Sequence, residues 1–142
     1  MGLGGMSKLP TDRQVLRCIY EMYDAAYPGV PPGEVRGEND PYLSIDVYAV
    51  AKLLDCKPEL LFGRLYYYLD AKHRYKQENG ALVSLFYLNL QGKRHCVHFP
   101  FLASVLAGHD DDHRRHSWSL AVSFVALVLS VAAIVAQVLT AK

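Results

Sequence analysis

The residues with the clearest capacity for chemistry lie in a short polar segment ahead of the C-terminal apolar run. His109 and His113 are four residues apart, so a helix would place both imidazoles on one face, where Asp110 or Asp112 could add a carboxylate. Imidazole and carboxylate groups are common ligands for divalent metals. No cysteine lies nearby and no second ligand pair accompanies them. The pattern therefore favours a polar linker over a metal site, and no cofactor is expected.

The three cysteines, Cys18, Cys56 and Cys96, are the remaining candidates for reactive groups. They are too few and too scattered for a disulfide framework, which predicts reduced thiols in a cytosol-like compartment. His95 and His98 lie close to Cys96, but successive side chains on a strand point to opposite faces. The chain contains no G-x-S-x-G, P-loop, H-E-x-x-H or C-x-x-C motif. We therefore predict a non-enzymatic protein, with a hydrolase or a metal-handling protein as the weakest alternative.

Positive charge is concentrated in one part of the chain. Residues 1–56 carry five Lys or Arg against eight Asp or Glu, whereas residues 57–94 carry seven against three. Such cations can neutralise phosphates, although the overall charge of +1 argues against a non-specific nucleic-acid binder. A solvated rim of paired charges is the plainer alternative. The candidate residues for contact with nucleic acid or a protein partner are Lys57, Arg64, Tyr67, Lys72, Arg74, Lys76, Lys93 and Arg94.

Tyr67 is included because it belongs to a run of three tyrosines, Tyr66 to Tyr68. Three adjacent residues on a helix point in three directions, so at most two of them can be buried in a core. At least one large aromatic side chain should therefore be exposed. Tyrosine is enriched at protein interfaces, so a protein partner explains this run as well as a nucleic acid does.

The elements that must position these residues follow from caps, periodicity and turn signals. Thr11-Asp-Arg-Gln14 is a capping box and opens a helix that ends at Pro28, and residues 28–41 read as a loop. Tyr42 to Ile45 is a short strand, and Asp46 and Pro58 begin two helices joined by a three-residue turn. Residues 81–88 and 94–99 predict a hairpin, and Asn79-Gly80 predicts a competing type I′ hairpin that pairs residues 72–77 with 81–88. Both hairpins can hold in a three-stranded meander. Residues 101–107 predict a short helix ended by Gly108.

This order of elements over residues 11–99 resembles the winged helix-turn-helix fold, in element order rather than in a sequence motif. The resemblance implies an α+β domain. In such domains the second helix of the pair, here residues 58–71, enters the major groove of DNA, and the wing, here residues 91–94, contacts the backbone. The region richest in Lys and Arg is the region that would face DNA. The long 28–41 loop and Gly63 inside the third helix depart from the usual pattern.

The C-terminal segment from Leu120 to Thr140 contains no charged residue over 21 positions. A helix of this length spans about 30 Å, the thickness of the hydrocarbon core of a bilayer. Trp118 lies where an interfacial aromatic residue is expected, and Arg114 and Arg115 precede the span while Lys142 follows it. Residues 1–8 lack the apolar run of a signal peptide. Together with the flanking charges, this predicts a single-pass protein with a cytosolic N-terminal domain.

Small and polar residues form one stripe along this segment at alternating spacings of four and three. Such a stripe lets two helices approach closely in lipid and form hydrogen bonds across their contact. We predict a helix–helix interface, either in a homo-oligomer or with another membrane protein. Its residues are Ser119, Ser123, Ala126, Ser130, Ala133, Gln137 and Thr140.

The sequence thus predicts four regions: a flexible N-terminus (1–10), a winged-helix-like cytosolic domain (11–108), a polar juxtamembrane linker (109–118) and a transmembrane helix (119–141). The function predicted is that of a membrane-anchored adaptor whose cytosolic domain binds a protein partner. The alternative is a membrane-tethered DNA-binding regulator. The uneven charge and the element order favour the alternative, whereas the near-zero net charge, the tyrosine run and the polar stripe favour the adaptor.

Overall fold

A computed structural model describes residues 9–27, 33–35 and 41–141 of the 142-residue chain. The chain divides into two units, Met1–Leu106 and Ala107–Lys142. The first unit mixes helices with antiparallel sheet, as the sequence predicted, and the second is helical. Most of the predicted flexible N-terminus, most of the predicted 28–41 loop and Lys142 lie outside the described residues.

The first helices begin at the residues that the sequence indicated. Helix α1 (Asp12–Tyr23) has the predicted capping box, with the Gln14 amide donating to Thr11 Oγ1 and Gln14 Oε1 accepting from the Thr11 amide. A short 3₁₀ turn (Asp24–Ala26) follows. Helix α2 (Val47–Leu53) is capped by Asp46, whose Oδ1 accepts from the amides of Tyr48 and Ala49 at 3.0 and 3.1 Å.

Residues 58–73 form one helical stretch of three parts, which we call the composite helix. Helix α3 (Pro58–Gly63) begins with proline at its first position, as predicted, and a π-helical segment (Arg64–Leu69) and helix α4 (Asp70–His73) continue it. The Asp70 amide donates to the Leu65 carbonyl, five residues earlier, as a π-helix requires. The sequence pattern did not predict this π segment. It contains the whole tyrosine run, Tyr66 to Tyr68.

The strands form two separate sheets. Strands β1 (Tyr42–Ser44), β4 (Phe86–Leu90) and β5 (Lys93–His98) make an antiparallel sheet in the order β1-β5-β4. Gln91 and Gly92 both have positive φ, which gives the tight type I′ connection between β4 and β5. Strands β2 (Tyr75–Lys76) and β3 (Leu82–Val83) pair only with each other.

The predicted three-stranded meander is therefore wrong, and so is the single strand over 81–88. The chain breaks between β3 and β4 because Asp70 Oδ1 accepts the amides of Leu85 and Phe86 at 2.8 and 3.1 Å, where a ladder would otherwise continue. The turn at Asn79-Gly80 is also not type I′. The Gln77 amide donates to the Ala81 carbonyl, which leaves a three-residue loop, residues 78–80. Of these three residues, only Gly80 has positive φ.

The core of the first unit lies between α1, α2, the composite helix and the three-stranded sheet. Phe99, Leu102 and Leu106, at the start of the last helix, complete it. The fully buried side chains with the largest volumes are Leu16, Ile19, Leu61, Leu65, Leu69, Leu85 and Leu102.

The last helix, α5 (Phe99–Thr140), is 42 residues long and corrects the prediction of a helix ending at Gly108. His98 immediately precedes this helix, and its Nδ1 accepts from the Phe101 amide at 3.2 Å and so acts as a cap. Helix continuation through the polar segment is favoured by Asp110–Arg114 and Asp111–Arg115, both at the i,i+4 spacing that supports helices. The helix is long and apolar enough to cross a membrane, and none of its most apolar window is buried.

Candidate partner-binding surface

Two of the predicted cations are engaged within the domain. Arg64, on the π segment, and Lys72, on α4, both pair with the Asp12 carboxylate, Lys72 Nζ at 3.7 Å. The Arg64 guanidinium also lies 4.5 Å from the centre of the Tyr68 ring, and Lys72 Nζ lies 5.5 Å from it. Asp12 is mostly buried. These contacts connect the N-terminus of α1 to the composite helix, and the Lys72 side chain is still 47% exposed.

The other five predicted cations are exposed on three separate elements. Lys57 precedes α3, Arg74 precedes β2, and Lys76 lies on β2. Lys93 and Arg94 begin β5. Within the described residues none of them forms an ion pair. These residues remain predicted contacts for nucleic acid or a partner.

The three adjacent tyrosines have three different environments, as predicted. Tyr66 is half-buried against the sheet, and Tyr68 is 42% exposed beneath the two cations. Tyr67 is 79% exposed. Its ring lies 6.1 Å from that of Phe62 in an edge-to-face arrangement, and the Phe62 ring lies 4.6 Å from that of Tyr66. The exposed ring of Tyr67 is thus part of a larger aromatic group.

His95 on β5 completes this group, which we call the aromatic patch (Phe62, Tyr66, Tyr67 and His95). His95 Nδ1 lies 2.8 Å from Tyr66 Oη, and Tyr66 Oη lies 3.3 Å from the Tyr87 carbonyl oxygen. We assign the hydrogens so that His95 Nδ1–H donates to Tyr66 and the Tyr66 hydroxyl donates to Tyr87, because both hydrogens then have acceptors. This assignment leaves His95 Nε2 as an acceptor.

The backbone is unusual on both sides of this hydrogen bond. Tyr66 belongs to the π segment, and His95 has φ of +55° in the middle of a strand. A left-handed residue that is neither glycine nor in a turn costs free energy and persists only where its surroundings hold it. Here the Ile45 amide donates to the His95 carbonyl at 2.9 Å, and the ring contacts Phe62 and Tyr66. The π segment and the left-handed residue thus bring the side chains of Tyr66 and His95 into contact.

Burial favours the uncharged forms of both Tyr66 and His95. Burial raises the pKa of Tyr66, with smaller contributions from Cys96 and Asp70. Burial also lowers the pKa of His95, helped by the Arg94 charge and opposed by that of Asp46. At neutral pH the patch therefore presents a neutral imidazole and a neutral phenol.

A cleft of about 200 Å³ borders the aromatic patch between α2, α3 and β5. None of its lining residues was among the predicted site residues: they are Val47, Tyr48, Pro58, Glu59, Phe62 and His95. They come from three elements at irregular separations, so no spacing in the sequence could have grouped them. The positive φ of His95 and the π segment are properties of the folded backbone and leave no pattern in composition.

The cysteines and the juxtamembrane histidines show no assembled site. Burial raises the pKa values of Cys18, Cys56 and Cys96, so at neutral pH these side chains are thiols rather than nucleophilic thiolates. All three are free. In the part of the chain that the structure describes, no three His, Cys, Asp or Glu side chains are grouped to hold a metal ion.

The predicted transmembrane stripe lies on the exposed length of α5. Ser130 and Thr140 donate their hydroxyls to the carbonyls of Ala126 and Ala136 at 2.9 Å. Both hydroxyls are thereby satisfied within the helix, so Gln137 is the stripe residue with most unused hydrogen-bonding capacity. Its role in a helix–helix contact remains a prediction.

Comparison with protein-family models, with curated proteins and with solved structures yields no match, so the case for a function rests on the geometry described above.

Proposed function

We propose that the first unit is a winged-helix-like domain carried on a transmembrane anchor. The sheet order β1-β5-β4, the four-residue connection from α2 to the composite helix and the tight β4–β5 hairpin support this proposal. The separate β2–β3 hairpin is an addition to that scheme. α5 provides the anchor, because its length and composition suit a bilayer.

We further propose that the protein is a non-enzymatic, membrane-anchored adaptor whose domain binds a protein partner through the aromatic patch. The observation that carries this proposal is the 79% exposure of Tyr67 beside Phe62, on the helix that would otherwise read DNA. Tyrosine anchors are favoured at protein interfaces because they bury much area at small entropic cost. Arg64 and Lys72, which the DNA-binding alternative needs, are already paired with Asp12.

The orientation we propose places this domain in the cytosol. Arg114 and Arg115 precede the apolar span and Lys142 follows it, which agrees with an excess of positive charge on the cytosolic side. The aromatic patch would then face cytosolic proteins near the membrane surface. Protease protection of sealed vesicles tests this orientation, since a cytosolic domain is digested without detergent.

The proposed partner contact is tested by photo-cross-linking in membranes. A benzophenone amino acid in place of Tyr67 in the full chain should give a discrete adduct, whereas the same group in place of Leu82, 47% exposed on β3, should not. The adduct should disappear when Phe62 is changed to Ala. Equal adducts at both positions would contradict the proposal.

The DNA-binding alternative is favoured by Arg74 and Lys76, which are exposed next to the composite helix. Under this alternative, the full chain in detergent would bind duplex DNA with nanomolar affinity at physiological salt. Changing Lys72, Arg74 and Lys76 to Ala would then weaken binding to all sequences and flatten its dependence on salt. We expect little binding, and a nanomolar dissociation constant would favour the regulator over the adaptor.

A further inference from the structure

The cleft beside the aromatic patch has the size of a site for one side chain. Its volume is about 200 Å³, whereas pockets for cofactors and drug-sized molecules occupy roughly 300–1,000 Å³. It is open to solvent and lies between the first turns of α2 and α3 and the middle of β5. An extended partner segment could therefore insert a single residue into it.

The walls of the cleft are largely apolar and aromatic. The Phe62 ring is held in place by edge-to-face contact with His95 at 6.1 Å and by the tilted contact with Tyr66. Pro58 is rigid, and Val47 is buried at the base of α2. Tyr48 is 71% exposed, so one ring of the lining remains available to a ligand. A group that enters the cleft would meet the side chains of two aromatic residues, Tyr48 and Phe62.

The charge of the lining is negative. Glu59 is the only charged residue among the six lining residues, it is exposed, and it forms no ion pair within the described part of the chain. His95 adds no positive charge at neutral pH and offers Nε2 as an acceptor under the hydrogen assignment above. The nearby charges outside the lining are Lys57 before α3, Arg94 before His95 and Asp46, whose carboxylate caps α2. A carboxylate with aromatic walls is the usual environment for a bound organic cation.

We propose that this cleft binds an arginine side chain of the partner protein. The guanidinium group would pair with the Glu59 carboxylate and stack on the rings of Tyr48 and Phe62. Arginine fits better than lysine because its planar, forked donor group matches a carboxylate and an aromatic face together. This inference rests on the proposed adaptor function and gives the chemistry of the residue that the adaptor recognises.

Glu59 also has a structural function that the test must separate from binding. It lies in the first turn of α3, where a negative charge interacts favourably with the helix N-terminus. Changing it to Gln therefore alters the helix as well as the cleft. Tyr48→Ala provides the second variant, because that ring is largely exposed and contributes little to the core. Glu78→Gln, in the β2–β3 loop, is the matched control for charge removal.

The experiment is a titration of the full chain in lipid nanodiscs with N-acetylargininamide, followed by NMR of the tyrosine, phenylalanine and histidine rings. We expect saturable shifts at Tyr48, Phe62 and His95. Glu59→Gln and Tyr48→Ala should each weaken binding about ten-fold, while Glu78→Gln should leave it unchanged. N-acetylcitrullinamide has the same shape without the charge and should bind about ten-fold more weakly.

Equal binding of the arginine and citrulline amides would overturn the proposal, and so would unchanged binding by both cleft variants. Tighter binding of N-acetyllysinamide would overturn the choice of arginine. The cross-link at position 67 reports separately on the adaptor function. A Tyr67 adduct without arginine binding would remove only the cleft proposal, and arginine binding without any adduct would remove the adaptor function while leaving the cleft as a cation site.

Discussion

Single side chains hold the irregular parts of this domain in place, and Asp70 is the clearest case. It is only 8% exposed, and its Oδ1 accepts both the Leu85 and the Phe86 amides. Those two bonds end β3, start β4 and connect both strands to the composite helix. A buried amide that loses its acceptor is costly, which makes this carboxylate a stability determinant.

We predict that Asp70→Ala destabilises the domain by about 2–4 kcal/mol, because two buried amides lose their acceptor. Asp70→Asn keeps an oxygen at the same position and should lose much less. Thermal unfolding followed by near-ultraviolet circular dichroism measures the difference. Hydrogen exchange adds a local readout, since the Leu85 and Phe86 amides should exchange faster in the Ala variant. Equal unfolding temperatures for the two variants would refute this account.

The protonation state of His98 affects the start of α5, because this residue caps the helix. Burial lowers its pKa, and its unprotonated Nδ1 accepts from the Phe101 amide. The rings of Tyr42 and Phe101 lie 4.9 and 5.9 Å from it. The folded state thus binds this proton less readily than the unfolded state, whose histidine pKa is about 6.5. The stabilisation is complete above that value and is lost as pH falls below it.

The unfolding temperature of the first unit should therefore fall between pH 7 and pH 5. His98→Asn should reduce that pH dependence, because asparagine can accept the same hydrogen bond without titrating. His116→Asn, on an exposed part of α5, serves as the control. His95, whose pKa is also lowered, should contribute to the pH dependence that remains. An unchanged pH dependence in His98→Asn would show that the cap does not titrate.

At the scale of the elements, sequence reasoning succeeded where one local interaction decides the outcome. The Thr11 capping box, the Asp46 cap and the Pro58 start each use groups within a few residues of each other. It failed where a distant group decides. The β3–β4 break depends on Asp70, some 15 residues earlier, and the cleft depends on three elements meeting. Periodicity carries no information about such contacts.

Gly108 shows a different kind of error, in which a local signal was outweighed. Glycine ends a helix when the residue adopts a left-handed conformation, but here it continues within α5. We predict that Gly108→Ala stabilises α5 by about 0.5–1 kcal/mol, because alanine is the better helix former and its Cβ would meet no atom within 4 Å. A helix that ended at Gly108 would instead be destabilised.

Hydrogen exchange of residues 104–112 measures this effect, with slower exchange expected for Gly108→Ala. Ala107→Gly is the matched control, and it should speed exchange by a similar factor. Faster exchange in Gly108→Ala would restore the helix stop that the sequence first indicated.

For the whole molecule, the apolar length of α5 is the dominant physical fact. Its large exposed apolar side chains extend from Leu120 to Leu139, and water is a poor solvent for such a surface. A bilayer removes this surface from water without further folding. This geometry is compatible with the adaptor function that we propose, in which an anchored domain meets its partner at the membrane surface. The stripe then raises the question of whether the anchor meets a second copy.

We predict that α5 self-associates in membranes through the stripe, with Gln137 as its hydrogen-bonding residue. Interhelical hydrogen bonds in lipid contribute about 0.6 kcal/mol on average, so close packing of small residues must supply most of the association energy. Ser123→Leu with Ser130→Leu would hold the two backbones apart and should abolish the signal of a transmembrane dimerisation reporter. Val122→Leu with Val128→Leu adds volume off the stripe and should be tolerated.

Equal effects of the two pairs, or no signal from the unaltered helix, would remove the homo-oligomer. A different membrane protein on the same stripe would then be sought by cross-linking at position 126, because Ala126 lies in the middle of the stripe where a neighbouring helix must come closest.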